Sequence, residues 1–454
     1  MTKIGLEIHG YLNTEQKLFC KCKAIHGAKL SKPNLNICPI CTGQPGAKPM
    51  APNKTAINKA IQIALILRCK INEKLPFQRK HYDWPDLPKG YQNTLSGAHA
   101  TPVGENGKFL GIKIREAHLE EDPAAWNPKT GEIDYNRSGL PLIEIVTEPD
   151  FKTSEEVVEW LKQLITALSY IKAIDKNAGI KADVNVSLPE LKGERVEVKN
   201  VNSITNIRLT IESEIERQKL EIPKVQETRR FDEVKGKTTK MRSKEQAEDY
   251  RFISDPDLPT LFLDKKRIEK IKSSIPETPQ EKLDKLIKKY KIEKKYAEIL
   301  TKKIEIVEFF EKIIVKTNPK LATRWVTEEL LSVLNYNKKE LEEVEIEPAH
   351  FIELLKLIDA KSITELKAKE ILRTWKERSS SPKNEAKKNS QISDENEIEK
   401  IAKVIISENK KAVEDYKTGK KESLNFLIGQ LMQKTNKRAD FKTAREMLEK
   451  IINE

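Results

Sequence analysis

The sequence predicts an α+β fold: a large antiparallel-sheet domain at the N-terminus, an α-helical domain after it, and a small all-α tail. Three observations carry this expectation. Strand-like alternation and helical periodicity interleave up to about residue 275, the pattern of hairpins and helices rather than of a doubly wound parallel sheet. Beyond Pro276 and Pro279 the apolar residues recur at helical spacing among Lys and Glu. Four of the five cysteines crowd into residues 18–46, which predicts a metal-stapled insert in the first domain.

The elements follow in order. "MTKIGLEIHGYLN" runs directly into alternation, so Glu7 and His9 share one face of a first strand and no apolar leader is expected. Cys20 and Cys22, then Cys38 and Cys41, form C-x-C and C-x2-C pairs separated by fifteen residues, the arrangement of a tetrahedral zinc site. Pro39 and Gly43 in "CPICTG" allow the sharp turn that aims two thiolates at one ion. Four thiolates leave no open position, so the zinc is expected to be structural, and His26 inside the insert is a bystander. Cys69, in the helical "INKAIQIALILRCKIN", reads as a buried small apolar residue. "GENG" (104–107) signals a hairpin turn at Asn106-Gly107, next to the strand "KFLGIKIREAHLEED". "LPLIEIVTEPD" (140–150) and "ADVNVSL" (182–188) read as strands, and "TSEEVVEWLKQLITALSYI" as a helix capped by Thr153 or Ser154. The expected domains are 1–279, then a helical domain over 280–378, a Ser/Lys/Asn-biased linker over 379–394, and a helical tail over 395–454. In the tail, Leu424, Leu427, Ile428, Leu431 and Met432 share one helical face.

Lys and Arg outnumber Asp and Glu by 83 to 70, a formal charge of +13. Such a surplus fits an anionic partner such as nucleic acid, and it equally fits a solubility or compositional effect. The longest apolar run, "IQIALIL" (61–67), is far short of the ~20 residues that span a bilayer. A soluble, cytoplasmic protein with reduced thiols and no membrane partner is expected.

The chemistry-bearing residues of the first domain are carboxylates in apolar strands. "HLEEDP" supplies Glu120, Glu121 and Asp122, and "PLIEIVTEPD" sets Glu144 among Leu142, Ile143, Ile145 and Val146. Burying such a carboxylate is costly without a cation or hydrogen bonds. Two readings stand: the carboxylates converge with His9 on Mg2+, or each faces solvent from a half-exposed strand. "FQRKHYDWPDLPKGYQ" (77–92) sets Arg79, Lys80 and Lys89 among aromatics, which suits an anionic, ring-bearing ligand or a structural Pro-rich loop. Gly236-Lys237-Thr238 is no P-loop, because the required upstream glycine is Phe231. There is no G-x-S-x-G elbow and no sign of a Ser-Lys amidase.

Taken in order, "IGLEIH", "DWPDLPKGYQ", "HLEED", "DYNRSGLPLIEIVTEPD", "DVNVS", "EVKNVNS", "QETRRFDE", "MRSKEQAEDYRF" and "DPDLP" resemble the GatB/GatE family of subunits of tRNA-dependent amidotransferases. "AVEDYKTGKKESLNFLIGQLMQKTNKRAD" resembles that family's YqeY tail domain. The archaeal GatE branch carries a large synthetase-like insertion before the tail, whereas only a short linker stands here, which favours the GatB branch. The resemblance implies a cradle-shaped N-terminal domain in a heterotrimer with an amidase subunit GatA and a small subunit GatC. It implies an ATP-dependent carbon–nitrogen ligase that phosphorylates the side-chain carboxylate of Glu-tRNA(Gln), Asp-tRNA(Asn) or both. Ammonia that GatA releases from glutamine then travels through an internal tunnel and displaces the phosphate.

By motif position the resemblance implies that His9, Glu121 and Glu144 hold Mg2+, with Glu7 beside them. It implies that Lys80, Lys89 and Tyr91 contact ATP or the aminoacyl end, with Lys80 also lining the ammonia path. Asn136, Arg137, Asn200, Asn202, Arg229, Arg242 and Arg251 fall in family motifs without individual roles. One departure is "EEDPAAW", where the family commonly has a Gly-containing turn, so the turn beside Glu121 differs. Lys434, Lys437 and Arg438 are candidate tRNA contacts, set against a solvated helix end capped by a left-handed Asn436. The alternatives of another class are a non-catalytic zinc-containing tRNA-binding protein and, within the family, a GatE-type subunit.

Overall fold

The structure is a computed structural model, and it describes residues 2–25, 32–175, 179–243, 250–383, 395–436 and 438–453. His26, Lys437 and the 384–394 part of the expected linker lie outside the described residues. The chain forms two units, Met1–Thr278 and Pro279–Glu454.

The first unit opens with β1 (Lys3–Tyr11), α1 (Lys54–Ile66), β2 (Lys70–Ile71), β3 (Lys74–Leu75), β4 (Gln78–His81) and β5 (Gln92–Thr94). Next come β6 (Gly104–Phe109), β7 (Ile112–Glu121), β8 (Ala125–Trp126), β9 (Ile133–Asp134), β10 (Pro141–Thr147) and α2 (Ser154–Tyr170). It continues through β11 (Ile180–Ser187), β12 (Val196–Asn202), α3 (Ile204–Leu220), β13 (Glu227–Asp232) and β14 (Lys237–Ser243). β15 (Arg251–Ser254), β16 (Leu261–Phe262) and α4 (Lys265–Ser273) complete it. Twelve strands form one sheet, ordered β14-β13-β12-β11-β1-β10-β7-β5-β4-β15, with β6 on β7 and β2 on β6. The sheet is mixed rather than purely antiparallel, because β12 and β13 run parallel. The whole of α3 lies between those two strands and supplies the crossover that parallel neighbours need.

Alternation in β1 sets the two faces. Ile4, Leu6 and Ile8 are buried in the core beneath the sheet, while Glu7 and His9 project from the other side. α2 begins at its Thr153 cap, whose hydroxyl accepts from the Glu156 N–H at 3.2 Å. α1 ends at Ile66, short of the expected extent, and Arg68 with φ +55° turns the chain away. Cys69 is therefore outside the helix, yet buried as expected. The hairpin between β6 and β7 turns at Leu110-Gly111, both at positive φ, and not at Asn106-Gly107. Gly107 serves a close approach instead: a Cβ there would lie 2.5 Å from Cys69 Sγ and 2.6 Å from the Leu67 carbonyl oxygen.

α3 is locked to the sheet by a fully buried carboxylate, Glu214. It accepts from Arg217 at 2.6 Å, from the Thr238 hydroxyl at 2.7 Å and from Gln218 at 2.9 Å, and Arg229 lies 3.7 Å away. Buried charge of this kind is stable only while its partners remain.

The second unit is helical, as expected. Helices Pro279–Lys288, Lys294–Leu300, Ile304–Ile314, Pro319–Arg324, Leu331–Tyr336, Pro348–Asp359 and Glu365–Thr374 are followed by Glu395–Glu408, Lys410–Lys417, Glu422–Lys434 and Phe441–Asn453. The last four enclose their own apolar cluster, in which Leu424, Leu427, Ile428, Leu431 and Met432 are buried. Among the described residues no helix is long and apolar enough to cross a membrane.

The Glu214 network yields a stability prediction. Glu214→Ala leaves two guanidinium groups without their buried carboxylate and is expected to cost about 3–5 kcal/mol. A urea titration of the first unit's unfolding transition measures it, and a midpoint equal to wild type would mean that the network is dispensable.

Candidate functional site

Three adjacent strands assemble the first cluster. Register places His9 opposite Glu144 and Glu144 opposite His118, so β1, β10 and β7 present these side chains in a row. His9 Nε2 lies 3.2 Å and His118 Nε2 3.3 Å from the same Glu144 oxygen, while His118 Nδ1 lies 3.0 Å from Glu116. Glu120, two residues beyond His118, completes the group. His9, Glu120 and Glu144 each offer a ligand atom, all within 4.8 Å of one another.

A second cluster shares β1. Glu7 is paired with Asp183 across β11, and Asn185 with Glu197 across β12. Glu7, Asp183 and Glu197 again bring ligand atoms within 4.8 Å. Lys199 Nζ is 3.7 Å from both Asp183 and Glu197, Asn185 donates to Glu7 at 3.2 Å, and the Asn200 N–H donates to Asp183 at 2.7 Å.

The electrostatics report a shortage of positive charge. Burial, and then Glu144, Asp183 and Glu197, push the Glu7 carboxyl up to about 7. Burial works against a charged His9, but Glu144 overcomes it and raises the imidazole to about 9. Burial opposes the Glu144 charge, and His118 and His9 nevertheless hold it well below the ordinary carboxylate range. Two carboxylate-rich pockets whose groups must borrow protons and imidazoles for compensation fit hard divalent cations, which prefer oxygen ligands. Lys80 belongs to the same face, since it pairs with Gln92 in β5 and β5 pairs with β7 at Glu120. Its ammonium lies 4.9 Å from the Tyr250 ring centroid.

The expected set does not stay together. Glu121, expected beside His9 and Glu144, points through the sheet to the opposite face, and Glu120 lies beside them instead. The cause is the period of two: His118 and Glu120 share a face, and Leu119 and Glu121 share the other. On that other face Glu121 pairs with Lys89 and accepts from the Asn93 N–H at 2.9 Å. Tyr91 is there too, with Arg79 4.3 Å and Lys89 5.0 Å from its ring centroid. Lys89 and Tyr91, expected near ATP, are thus separated by the sheet from the cage.

His118, Asp183, Glu197 and Lys199 were missed by sequence reasoning, whereas Glu120 was read among the carboxylates of "HLEEDP" but left out of the set chosen by motif position. Part of the signal was present: alternation in "HLEED", "DVNVS" and "EVKNVNS" puts these residues on one face of each strand, as it did Glu7 and His9 in "GLEIH", but does not say which strands lie side by side. Asn136 is a support residue, accepting from the Asn36 N–H and donating to the Lys32 carbonyl, each at 2.8 Å. Arg137 donates to the Pro123 carbonyl and lies 3.3 Å from Asp122, which also accepts from the Tyr11 hydroxyl at 2.6 Å.

Cys20, Cys22, Cys38 and Cys41 bring their sulfurs within 4.8 Å of one another, with Cys38 and Cys41 at 3.9 Å. A tetrahedron with Zn–S of about 2.3 Å has sulfur–sulfur edges of about 3.8 Å, so the set fits zinc. The Cys41 thiol is drawn down to about 5, chiefly by a hydrogen bond from Cys20 and with help from buried Lys17. In the tail, Lys434 pairs with Glu408 at 2.7 Å, and Asn436 ends the helix at φ +49° as a left-handed cap would.

Residues 2–269 match the model of the "GatB/GatE catalytic domain", and residues 308–452 match that of the "GatB domain". The B subunit of the aspartyl/glutamyl-tRNA(Asn/Gln) amidotransferase of Methanocaldococcus jannaschii is 44% identical over 99% of this chain and 98% of its own length. The proteins of the same name from Methanococcus maripaludis (strain C5) and Methanothermobacter thermautotrophicus are each 42% identical over 99% of this chain, and over 98% and 100% of their own lengths. With both models matched in order and relatives aligned from end to end, the chain belongs to the GatB/GatE family of amidotransferase subunits.

Proposed function

We propose that this protein uses ATP to phosphorylate the side-chain carboxylate of Glu or Asp esterified to a tRNA, and then lets ammonia displace the phosphate. GatA-type and GatC-type subunits supply the ammonia and complete the assembly, which works in the cytoplasm. The observation that carries this reading is the pair of carboxylate-rich clusters on one face of the sheet, joined through Glu7 and His9 of a single strand.

A free carboxylate resists attack by ammonia, whereas an acyl phosphate carries a good leaving group. Phosphoryl transfer asks mainly for positioning and charge neutralisation, and the substrate's own carboxylate is the nucleophile. His9, Glu120 and Glu144 would hold one Mg2+, and Glu7, Asp183 and Glu197 a second. Mg2+ bound there would neutralise charge on the phosphates and on the attacking carboxylate. The chain's own residues orient the site: His118 bridges Glu116 and Glu144, so the Glu144 oxygen is fixed between two imidazoles. The Lys80 ammonium, on the same face, attracts the anionic groups of either substrate. A pure RNA-binding protein has no use for gathered negative charge, which argues against the non-catalytic alternative. The zinc set serves structure, holding the insert to the domain.

Glu120→Gln and Glu121→Gln separate the two faces. With GatA- and GatC-type partners, ATP, Mg2+, ammonium and Glu- or Asp-charged tRNA, Glu120→Gln is expected to lower amide formation by at least about 10–100-fold and to raise the Mg2+ requirement, tRNA binding being retained. Glu121→Gln is expected to leave the Mg2+ requirement unchanged. The reverse pattern, with Glu121→Gln alone shifting it, would return the cage to the opposite face.

For zinc, Cys38→Ser is expected to abolish the zinc content measured by elemental analysis and to lower the unfolding temperature of the first unit. Unchanged zinc content would show that the four cysteines are not its ligands.

A further inference from the structure

An open groove of about 680 Å3 lies beside the start of β1, where Pro149 packs on Gly5, and the charge of its Arg115 also feels Glu7. Lys3, Lys108, Lys113, Arg115 and Lys152 line it. Lys3 shares its side of β1 with Glu7 and His9, because Ile4, Leu6 and Ile8 face the core. Four residues of strand place Lys3 about 13 Å from Glu7.

The groove's carboxylates are already engaged. Glu148 holds Arg115 at 3.0 Å, and Asp150 accepts the Lys113 backbone N–H at 3.0 Å. Among the described residues no carboxylate lies within ion-pair distance of the Lys3, Lys108, Lys113 or Lys152 ammonium groups, although the Lys113 charge acts on Glu148 from farther off. A second observation concerns the hairpin itself. Lys108 and Lys113 are direct cross-strand partners, one residue on either side of the Phe109–Ile112 pair that closes the turn. Like charges directly opposite destabilise a strand pair, and Leu110 and Gly111, at φ +46° and +89°, hold these two in register. The fold keeps an unfavourable pair of cations at the edge of a groove that opens beside the carboxylate clusters.

We propose that this groove docks an RNA phosphodiester backbone, taking phosphates at the base of the unpaired 3′ end of the tRNA while the aminoacylated terminus reaches the clusters. This rests on the function proposed above. A stacked strand advances about 3.4 Å per nucleotide, so the ~13 Å from Lys3 to Glu7 corresponds to about four nucleotides. That reach suits the short unpaired end of a tRNA and exceeds the triphosphate of one ATP. Lys108 and Lys113 bracket one phosphate and so offset their mutual repulsion.

The test uses the assembled complex and compares wild type with the double variant Lys108→Gln/Lys113→Gln. Both lysines are exposed, and removing them relieves repulsion, so the unfolding temperature should be equal or higher. Affinity for charged tRNA is measured across a salt series. The variant should bind at least about tenfold more weakly at low salt, with a salt slope shallower by about 0.7–0.9 for the one phosphate lost. Its KM for tRNA should rise while its KM for ATP stays constant. Wild-type tRNA binding with an unchanged slope in the variant would overturn the groove alone. A rise in the KM for ATP, or displacement of the effect by millimolar inorganic phosphate, would overturn it in favour of a free-phosphate or nucleotide site. Failure of wild type itself to bind tRNA would instead sink the functional reading.

Discussion

The constraint on which the rest of the first unit depends is the crowding of carboxylates on one face of a sheet. Each cluster brings its ligand atoms within 4.8 Å of one another. Two ionised carboxylates at that distance repel by about 3–4 kcal/mol at an effective dielectric of about 20. A few such pairs rival the whole stability of a domain, about 5–15 kcal/mol. The fold answers this locally with His9, His118 and Lys199, and with the proton that Glu7 keeps up to about 7. It answers globally with the other face of the same strands, where Ile4, Leu6, Ile8, Ala117, Leu119, Ile143 and Ile145 are all buried. Each large apolar side chain so buried contributes about 1.5–3 kcal/mol, enough together to hold the strands in a register that side-chain charge alone would oppose.

The two faces also divide the polar work. Opposite the clusters, Lys89–Glu121, Asn93, and Arg79 with Asp255 and Asp257 form a connected charged network, and Lys48 reaches it through Asp257 at 2.6 Å. The cysteine insert presses on the loop that carries Lys89. A Cβ on Gly43 would fall 2.2 Å from the Pro88 carbonyl oxygen and 2.8 Å from the Lys89 nitrogen, and Gly43 has φ +66°, so both space and backbone require glycine there. The Ser138 hydroxyl ties the insert to the segment leading into β10 by donating to the Cys41 carbonyl at 2.7 Å. The insert is therefore placed to fix Lys89 rather than the carboxylate clusters.

Much of this was legible in the sequence, and the failures have one main cause. Alternation read in "GLEIH" located Glu7 and His9 correctly, because β1 is regular and central. The Mg2+ set was instead completed by motif position in "HLEED", and motif position does not distinguish the two faces of a strand. Glu121, one residue beyond Glu120, lies on the far side of the sheet from His9 and Glu144. Asp183 and Glu197 are remote from Glu7 in sequence, and only the β1–β11–β12 pairing brings them beside it. Long-range register of this kind has no local signature. The misplaced hairpin turn has a different origin: Asn106-Gly107 carries the residue types of a tight turn, but there the glycine is demanded by Cys69 and Leu67.

The sign of the charge changes along a single sheet face, and the change has a physical consequence for any polyanion that lies on it. Ammonium groups at the start of β1 attract an RNA backbone, while the carboxylates at Glu7, Glu144, Asp183 and Glu197 repel the same backbone a short distance further on. At about 13 Å, beyond the Debye length of about 8–10 Å, the two patches are largely screened from one another, so each acts on the stretch of backbone directly over it. An RNA strand held at the lysine end would therefore stop short of the clusters until cations neutralise them. An overall charge of +13 would attract such a polyanion without distinguishing its ends, and the local reversal of sign would supply that distinction. Placing attraction and repulsion on the same strand gives a rigid measure of length, because β1 is held between β10 and β11 over most of its course.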